Sequence, residues 1–192
     1  MPRLPPPWSG GGPSRTNLDE AIGWYERGLA LDPDSPEAQS RLAGALVNRV
    51  IDFVPSSSDA DIERAEGLAR QAMAALPRSA RAHFVMGQIL RVQRWYAEAI
   101  SEYEVALAFD RNFVNALADI GRCKTYDGPI DEAIPFQERA IRLSPRDPQI
   151  FNWYFRIGEA HLLQSQVDQA IAWLEKARSG TPSVWYVPCR RF

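Results

Sequence analysis

Arg81, Phe84, Gln88 and Arg91 follow one another at steps of three and four residues, the spacing that gathers side chains along one side of an α-helix. Thirty-four residues further on, Asn115, Arg122 and Thr125 take the equivalent side of a second such segment. The chemistry open to this set is recognition. An arginine fork pairs with a carboxylate, and amides suit the backbone of an extended peptide. The set predicts a groove for a protein or peptide partner, with an acidic or C-terminal peptide the sharpest match. The competing arrangement is a solvated helix face whose arginines pair with nearby acids.

Bond-making chemistry finds no comparable set. His83 and His161 fall at core positions of helical patterns and lack the further ligands a metal site needs. Pairs such as Glu102/Glu104 and Asp131/Glu132 fall on outward helix faces, where no acid–base couple is implied. Gly10-Gly11-Gly12 has neither the preceding strand nor the Lys-Ser/Thr of a phosphate loop. Cys123 and Cys189 make no disulfide framework and are expected to be reduced. The expectation is a non-catalytic chain with no cofactor and no metal. Trp153, Tyr154, Phe155 and Trp173 read as a packed seam between helices rather than a ligand platform.

The elements that would position the groove repeat. Asp19-Glu20-Ala21-Ile22, Ala97-Glu98-Ala99-Ile100, Asp131-Glu132-Ala133-Ile134 and Asp168-Gln169-Ala170-Ile171 each open an amphipathic helix that stops about a dozen residues later. Adding Ala65, the anchors Ala21, Ala65, Ala99, Ala133 and Ala170 give a period of about 34 residues, the length of a helix–turn–helix repeat. In the third unit the first helix spans 80–93, with Gly87 admitting a close neighbour. Its second helix spans 97–109 and presents Ala99, Ile100, Tyr103, Ala106 and Leu107. Two such helices cannot bury these faces alone, so neighbouring units must stack.

The second unit is about ten residues longer. Pro55-Ser56-Ser57-Ser58 there suggests a lengthened first helix and a protruding loop. About three extra residues near Gln149–Trp153 predict that the last unit's first helix is extended or shifted in register. Ser35-Pro36-Glu37 is an N-cap followed by a first-turn proline and carboxylate, Gly128-Pro129 opens a further helix, and Thr16 with Asp19 resembles a capping box.

Gly87, Ala99, Tyr103 and Ala106, then Gly121, Ala133, Ala140 and Pro145, then Gly158, Ala170, Leu174, Ala177 and Pro182 resemble the tetratricopeptide repeat family. Leu42, Ala43, Ala65, Ala69, Ala72 and Pro77 match in the second unit, while Gln137 and Arg111 depart from the pattern. The resemblance implies an all-α superhelical solenoid of about four and a half repeats, at 16–34, 35–78, 79–112, 113–146 and 147–182. It also implies a protein-interaction scaffold whose first helices line a concave groove. The family's carboxylate clamp of Lys and Asn is not reproduced by Ser40/Gly44, Phe84/Gln88, Ala118/Arg122 or Phe155/Glu159. More weakly, the run from Leu31 to Trp173 resembles the helical repeats that follow the catalytic domain of some bacterial class III adenylate cyclases. That resemblance implies a regulatory segment of a larger signalling enzyme, without its metal or nucleotide residues.

Composition bounds the partners. With 192 residues, 45% of them hydrophobic, the chain can bury a continuous core, and a net charge of −2 gives no general drive toward nucleic acid or an anionic membrane. No apolar run is long enough to span a bilayer, and no signal-like segment opens the chain, which predicts a cytoplasmic location. The Pro/Gly-rich stretch 1–15 stands where the first repeat's own first helix belongs, and residues 183–192 form a short tail with Trp185 and Tyr186. Both ends of the solenoid are thus expected to lack a full cap. Self-association, a longer parent chain and folded-back tails are the three ways to cover them.

Overall fold

The structure is a computed structural model that describes residues 15–53 and 58–180. Residues 1–14, 54–57 and 181–192 lie outside the described residues, and with them the expectations for the Pro/Gly-rich start, the tip of the Ser-rich loop and the C-terminal tail. The described chain is helical throughout: α1 Arg15–Leu31, α2 Pro36–Phe53, α3 Ser58–Ala75, α4 Ala80–Val92, α5 Tyr96–Phe109, α6 Val114–Asp127, α7 Ala133–Leu143 entered through a 3-10 turn at Ile130–Glu132, α8 Ile150–Leu163 and α9 Val167–Gly180.

Local chemistry sets these bounds. Pro36 stands first in α2, where its missing N–H costs nothing. The Ser79 hydroxyl accepts from the Ala82 N–H at 3.2 Å and caps α4. Helices α4 and α8 end in the left-handed region at Arg94 (φ 65°) and Ser165 (φ 61°). There the N–H groups of Trp95 and Gln166 return to the carbonyls of Leu90 and His161 at 2.9 Å each, satisfying acceptors the helices leave open. Thr16 lies inside α1 rather than at its cap.

Small residues determine how the helices meet. A Cβ added at Gly87 would stand 2.5 Å from the Tyr103 ring, one at Gly121 2.8 Å from the Ala133 carbonyl and the Gln137 amide, and one at Gly158 2.8 Å from Leu174. In each of the last three repeats a first-helix glycine thus receives the residue sixteen positions later. Ala65, Ala99, Ala133 and Ala170 are buried at the same crossings. Gln137, standing where the pattern wants an aromatic, is buried and donates its amide to the Ala118 carbonyl at 2.7 Å, so a polar side chain fills the gap by bonding across it.

The extra length in the second repeat is mainly helix. Helices α2 and α3 have 18 residues each, against 13 and 14 in α4 and α5. Arg49 bonds Asp61 through Nε at 2.8 Å and Asp19 at 3.3 Å, tying α1, α2 and α3 together along this extension. The last repeat's first helix is not extended: α8 matches α6 at 14 residues. Its additional residues form the turn before α8, where Asp147 accepts from the Gln149 N–H at 2.8 Å and from the Ser144 hydroxyl at 3.4 Å.

One apolar cluster runs from Ile22 through Leu42, Leu46, Val85, Ile89 and Tyr103 to Ile120 and Cys123, and a second joins Leu117, Ala118 and Ala140 to Trp153. Helix α2 contacts α4, α4 contacts α6, and α6 contacts α8, whereas neighbouring second helices make no comparable contact among the described residues. A stack that is tight along one side and splayed along the other curves, so the first helices form its inner wall.

Candidate functional site

The seven residues predicted for the groove lie on the first helices α4 and α6, at different depths. Arg81 and Asn115 reach solvent, Arg122 is half-buried, and Phe84, Gln88, Arg91 and Thr125 are buried. The reason is geometric. A first helix inside a stack meets its own second helix, the preceding repeat and the following repeat, so the side opposite Met86 is itself largely covered. Phe84 lies 4.7 Å from the ring of Phe113 and 5.6 Å from that of Tyr103 and is part of the seam to the next repeat. The Thr125 hydroxyl is turned back to the Gly121 carbonyl at 3.0 Å.

The arginines divide by partner. Arg81 faces Glu37 of α2 at 3.7 Å. The buried Arg91 donates to the Tyr103 hydroxyl at 3.4 Å and lies 3.9 Å from Asp119, and the same hydroxyl donates to the other Asp119 oxygen at 3.4 Å. Burial works against the Arg91 charge, yet Asp119 and Tyr103 outweigh it and raise its pKa. Burial, reinforced by Asp119, likewise holds the Tyr103 hydroxyl protonated well above its usual range. These three side chains clamp α4, α5 and α6.

Arg122 is different. It forms no ion pair among the described residues, and its Nε is buried without a hydrogen-bond partner. Its pKa is lowered, first by burial and then by the charges of Arg91 and Arg156. On α8, Arg156 is already engaged with Glu159 at 2.8 Å and with the Tyr126 hydroxyl at 3.1 Å, which in turn donates to Glu159 at 3.2 Å. Three cations thus face two committed carboxylates, and the excess positive charge belongs to Arg122. Asp119, Tyr126, Arg156 and Glu159 were not among the residues predicted for the groove. Asp119 and Tyr126 stand three residues before and four after Arg122 on α6, and Glu159 holds on α8 the place that Arg122 holds on α6, so helical spacing and the repeat register were the signals that pointed to them.

The remaining candidates have structural occupations. His83 sets Nδ1 2.7 Å from Glu102 and Nε2 3.1 Å from the Pro77 carbonyl, joining two helices and the preceding turn. His161 meets Gln166 at 2.7 Å across the α8–α9 turn. Trp153 is buried, Tyr154 and Trp173 stand 5.8 Å apart, and Lys176 covers both rings at 4.4 and 4.7 Å. Among the described residues no group of three His, Cys, Asp or Glu could hold a metal, and no helix is long and apolar enough to cross a membrane.

Cys123 is a free, buried thiol whose pKa is pushed by burial, and then by Asp119, from 9.0 up to about 12. Because the thiolate is the reactive form, the native protein at pH 8 is expected to leave Cys123 unalkylated by iodoacetamide over hours and to label it within minutes in denaturant. Peptide mass mapping reads the site directly, and rapid native labelling would show that the thiol is open.

Comparison with known proteins agrees with this architecture. The family described as tetratricopeptide repeat matches residues 59–112 and 130–184, more than half of the chain. The photosystem I assembly protein Ycf3 of Cuscuta gronovii is 28% identical over 117 residues, covering 53% of this chain and 68% of that protein, and its counterpart in Cuscuta obtusiflora gives the same values. A thermophilic TPR protein of Thermus thermophilus superposes with a TM-score of 0.70 at 20% identity over 88% of this chain and 85% of that one. MamA gives 0.61 at 22% identity over 86% and 90%. YrrB, described as a TPR protein with an unusual peptide-binding site, gives 0.57 at 19% identity over 88% and 80%. These structural likenesses carry the fold, and the matched repeats carry the family: the chain is a member of the tetratricopeptide repeat family.

Proposed function

We propose that this chain is a non-catalytic interaction scaffold whose inner wall docks a peptide or helix of a protein partner, with an acidic side chain or a terminal carboxylate meeting Arg122. The observation that carries this reading is the uncompensated Arg122 charge between Arg91 and Arg156. A half-buried guanidinium with no acidic partner raises the free energy of the unliganded protein, and a carboxylate relieves it. Arg81 and Asn115, nearer solvent on the same wall, supply donors for peptide backbone. Arg91 serves this site through Asp119 and Tyr103 as a support for the wall, not as a contact. Ycf3 is an assembly protein and YrrB a peptide binder by description, which favours the same general role here.

The test is fluorescence anisotropy with an acidic peptide panel and charge-neutral controls of the same length. The protein should prefer acidic peptides, with affinity falling as salt rises. Arg122→Gln should weaken them about tenfold or more, corresponding to a charged hydrogen-bonded contact of about 1.5–3 kcal/mol, while leaving the thermal melt in place. Equal binding of acidic and neutral peptides, or an unchanged affinity for Arg122→Gln, would remove Arg122 as the anchor.

A further inference from the structure

Arg122 has apolar company one helical turn away. In repeat register the first helices carry Gln88, Arg122 and Glu159 in one row and, four residues further along each helix, Val92, Tyr126 and Leu163 in the next. Side chains four apart on a helix have Cβ atoms about 5–6 Å from each other, so the second row runs beside the first. Its members on α6 and α8 face water: Tyr126 is 46% exposed and Leu163 59%. On α4 the matching Val92 is half-buried, and on α2 the exposed Asn48 takes the place. The apolar shelf is therefore confined to the helix that carries Arg122 and the first helix after it.

The Tyr126 ring is held in position. It stands 5.9 Å from the ring of Tyr96, and its hydroxyl accepts from Arg156 at 3.1 Å and donates to Glu159 at 3.2 Å. A fixed aromatic face beside a cation without an ion pair makes a surface of two parts, one for a carboxylate and one for a large apolar side chain. The form of the segment follows from what surrounds the shelf. Arg156, Glu159 and Tyr126 already bond one another, so they offer little to the N–H and C=O groups of an extended chain laid across them. A helix satisfies those groups internally and presents residues i and i+4 at the one-turn spacing that separates Arg122 from Tyr126.

We infer that the segment meeting Arg122 is an amphipathic helix of a partner protein, carrying a carboxylate and, one turn away on the same side, a leucine-sized or aromatic side chain. The carboxylate meets Arg122, and the apolar group rests on Tyr126 and Leu163. This inference relies on Arg122 as the anion anchor and adds the element that selects among acidic segments, since charge alone admits any of them.

The test is fluorescence anisotropy on the full chain with helical peptides of one length. One carries Glu and Leu at i and i+4, a second has the same composition with Leu moved to i+2, on the other side of the helix, and a third has Gln for Glu. The first is expected to bind about tenfold more tightly than either of the others, the size of effect that burying one leucine side chain supports. Leu163→Ser should remove most of the preference for i+4 over i+2, whereas Leu31→Ser, at a residue 89% exposed on α1, should leave it whole. Equal affinity for the i+4 and i+2 peptides, or a preference that survives Leu163→Ser, overturns the shelf, while tighter binding of Glu than of Gln peptides would still keep Arg122 as the anchor. Equal affinity for Glu and Gln peptides removes the anchor, and the pairing of anchor and shelf falls with it.

Discussion

Replacing Tyr103 with alanine is expected to destabilise the protein by about 3–5 kcal/mol, the usual cost of emptying a fully buried aromatic site. Tyr103 is 0% exposed and lies over Gly87, with its ring centroid 5.6 Å from that of Phe84. The loss also strips Arg91 and Asp119 of the hydroxyl between them. Gly87→Ala approaches the same contact from the other side. Its Cβ would lie 2.5 Å from Cε1 and 2.7 Å from Cδ1 of a ring that has nowhere to withdraw, at a cost of about 1–3 kcal/mol that the better helix propensity of alanine only partly offsets. The two effects are not additive. With Tyr103 already truncated, the methyl at position 87 enters the vacated space, so the double variant should cost little more than Tyr103→Ala alone. The second repeat supports this, since Ala43 and Ala69 occupy the matching positions and both are fully buried. Urea denaturation of the two single variants and the double variant measures the coupling. Simple addition of the two losses would mean that Gly87 and Tyr103 do not share one space.

This crossing also shows what could be read from the residues and what could not. The small residues Gly87, Gly121, Gly158 and the alanines at 65, 99, 133 and 170 have only one use at helical spacing, which is to let another helix approach. The pairing within each repeat was therefore legible. Helix lengths were less so. The extra residues before α8 went into a turn built on Asp147, and those of the second repeat mostly into longer helices, because side-chain bonds of the kind made by Asp147 and Arg49 depend on what lies across the gap.

The depth of the residues read for the groove was not legible. Periodicity on one helix separates two sides, whereas a helix inside a curved stack has three covered sides. Phe84 and Arg91 were thus placed on the wall without the knowledge that Phe113 and Asp119 would arrive from the next repeat to cover them. The competing reading, arginines paired with local acids, describes Arg81 with Glu37 and Arg91 with Asp119. Arg122 is the residue it does not describe, and the functional proposal rests there for that reason.

Asp119→Ala is expected to cost about 3–5 kcal/mol, because it leaves the Arg91 charge in a buried site without its counter-ion. For a chain of this size that corresponds to a fall of roughly 6–20 °C in melting temperature. The physical origin is desolvation: the Arg91 side chain is 7% exposed and Asp119 17%, so water cannot take over the lost partner. The damage should be local at first. Asp119 belongs to α6 and its partners to α4 and α5, so the bond it makes joins the third repeat to the fourth. In an array whose stability is a sum of repeats and joints, weakening one joint lets the segments on its far side open separately. Hydrogen exchange should therefore quicken across α6–α9 before α2 and α3. The control is the apolar replacement of both partners, Arg91→Leu with Asp119→Leu, which removes the charge and its counter-ion together and should recover most of the loss. Recovery would show that the penalty lies in the stranded cation and not in the shape of the seam. If the double variant is as unstable as Asp119→Ala, the seam needs the charges themselves. Arg122 would then be expected to feel the change as well, since the carboxylate lost opposes the burial and the cations acting on it.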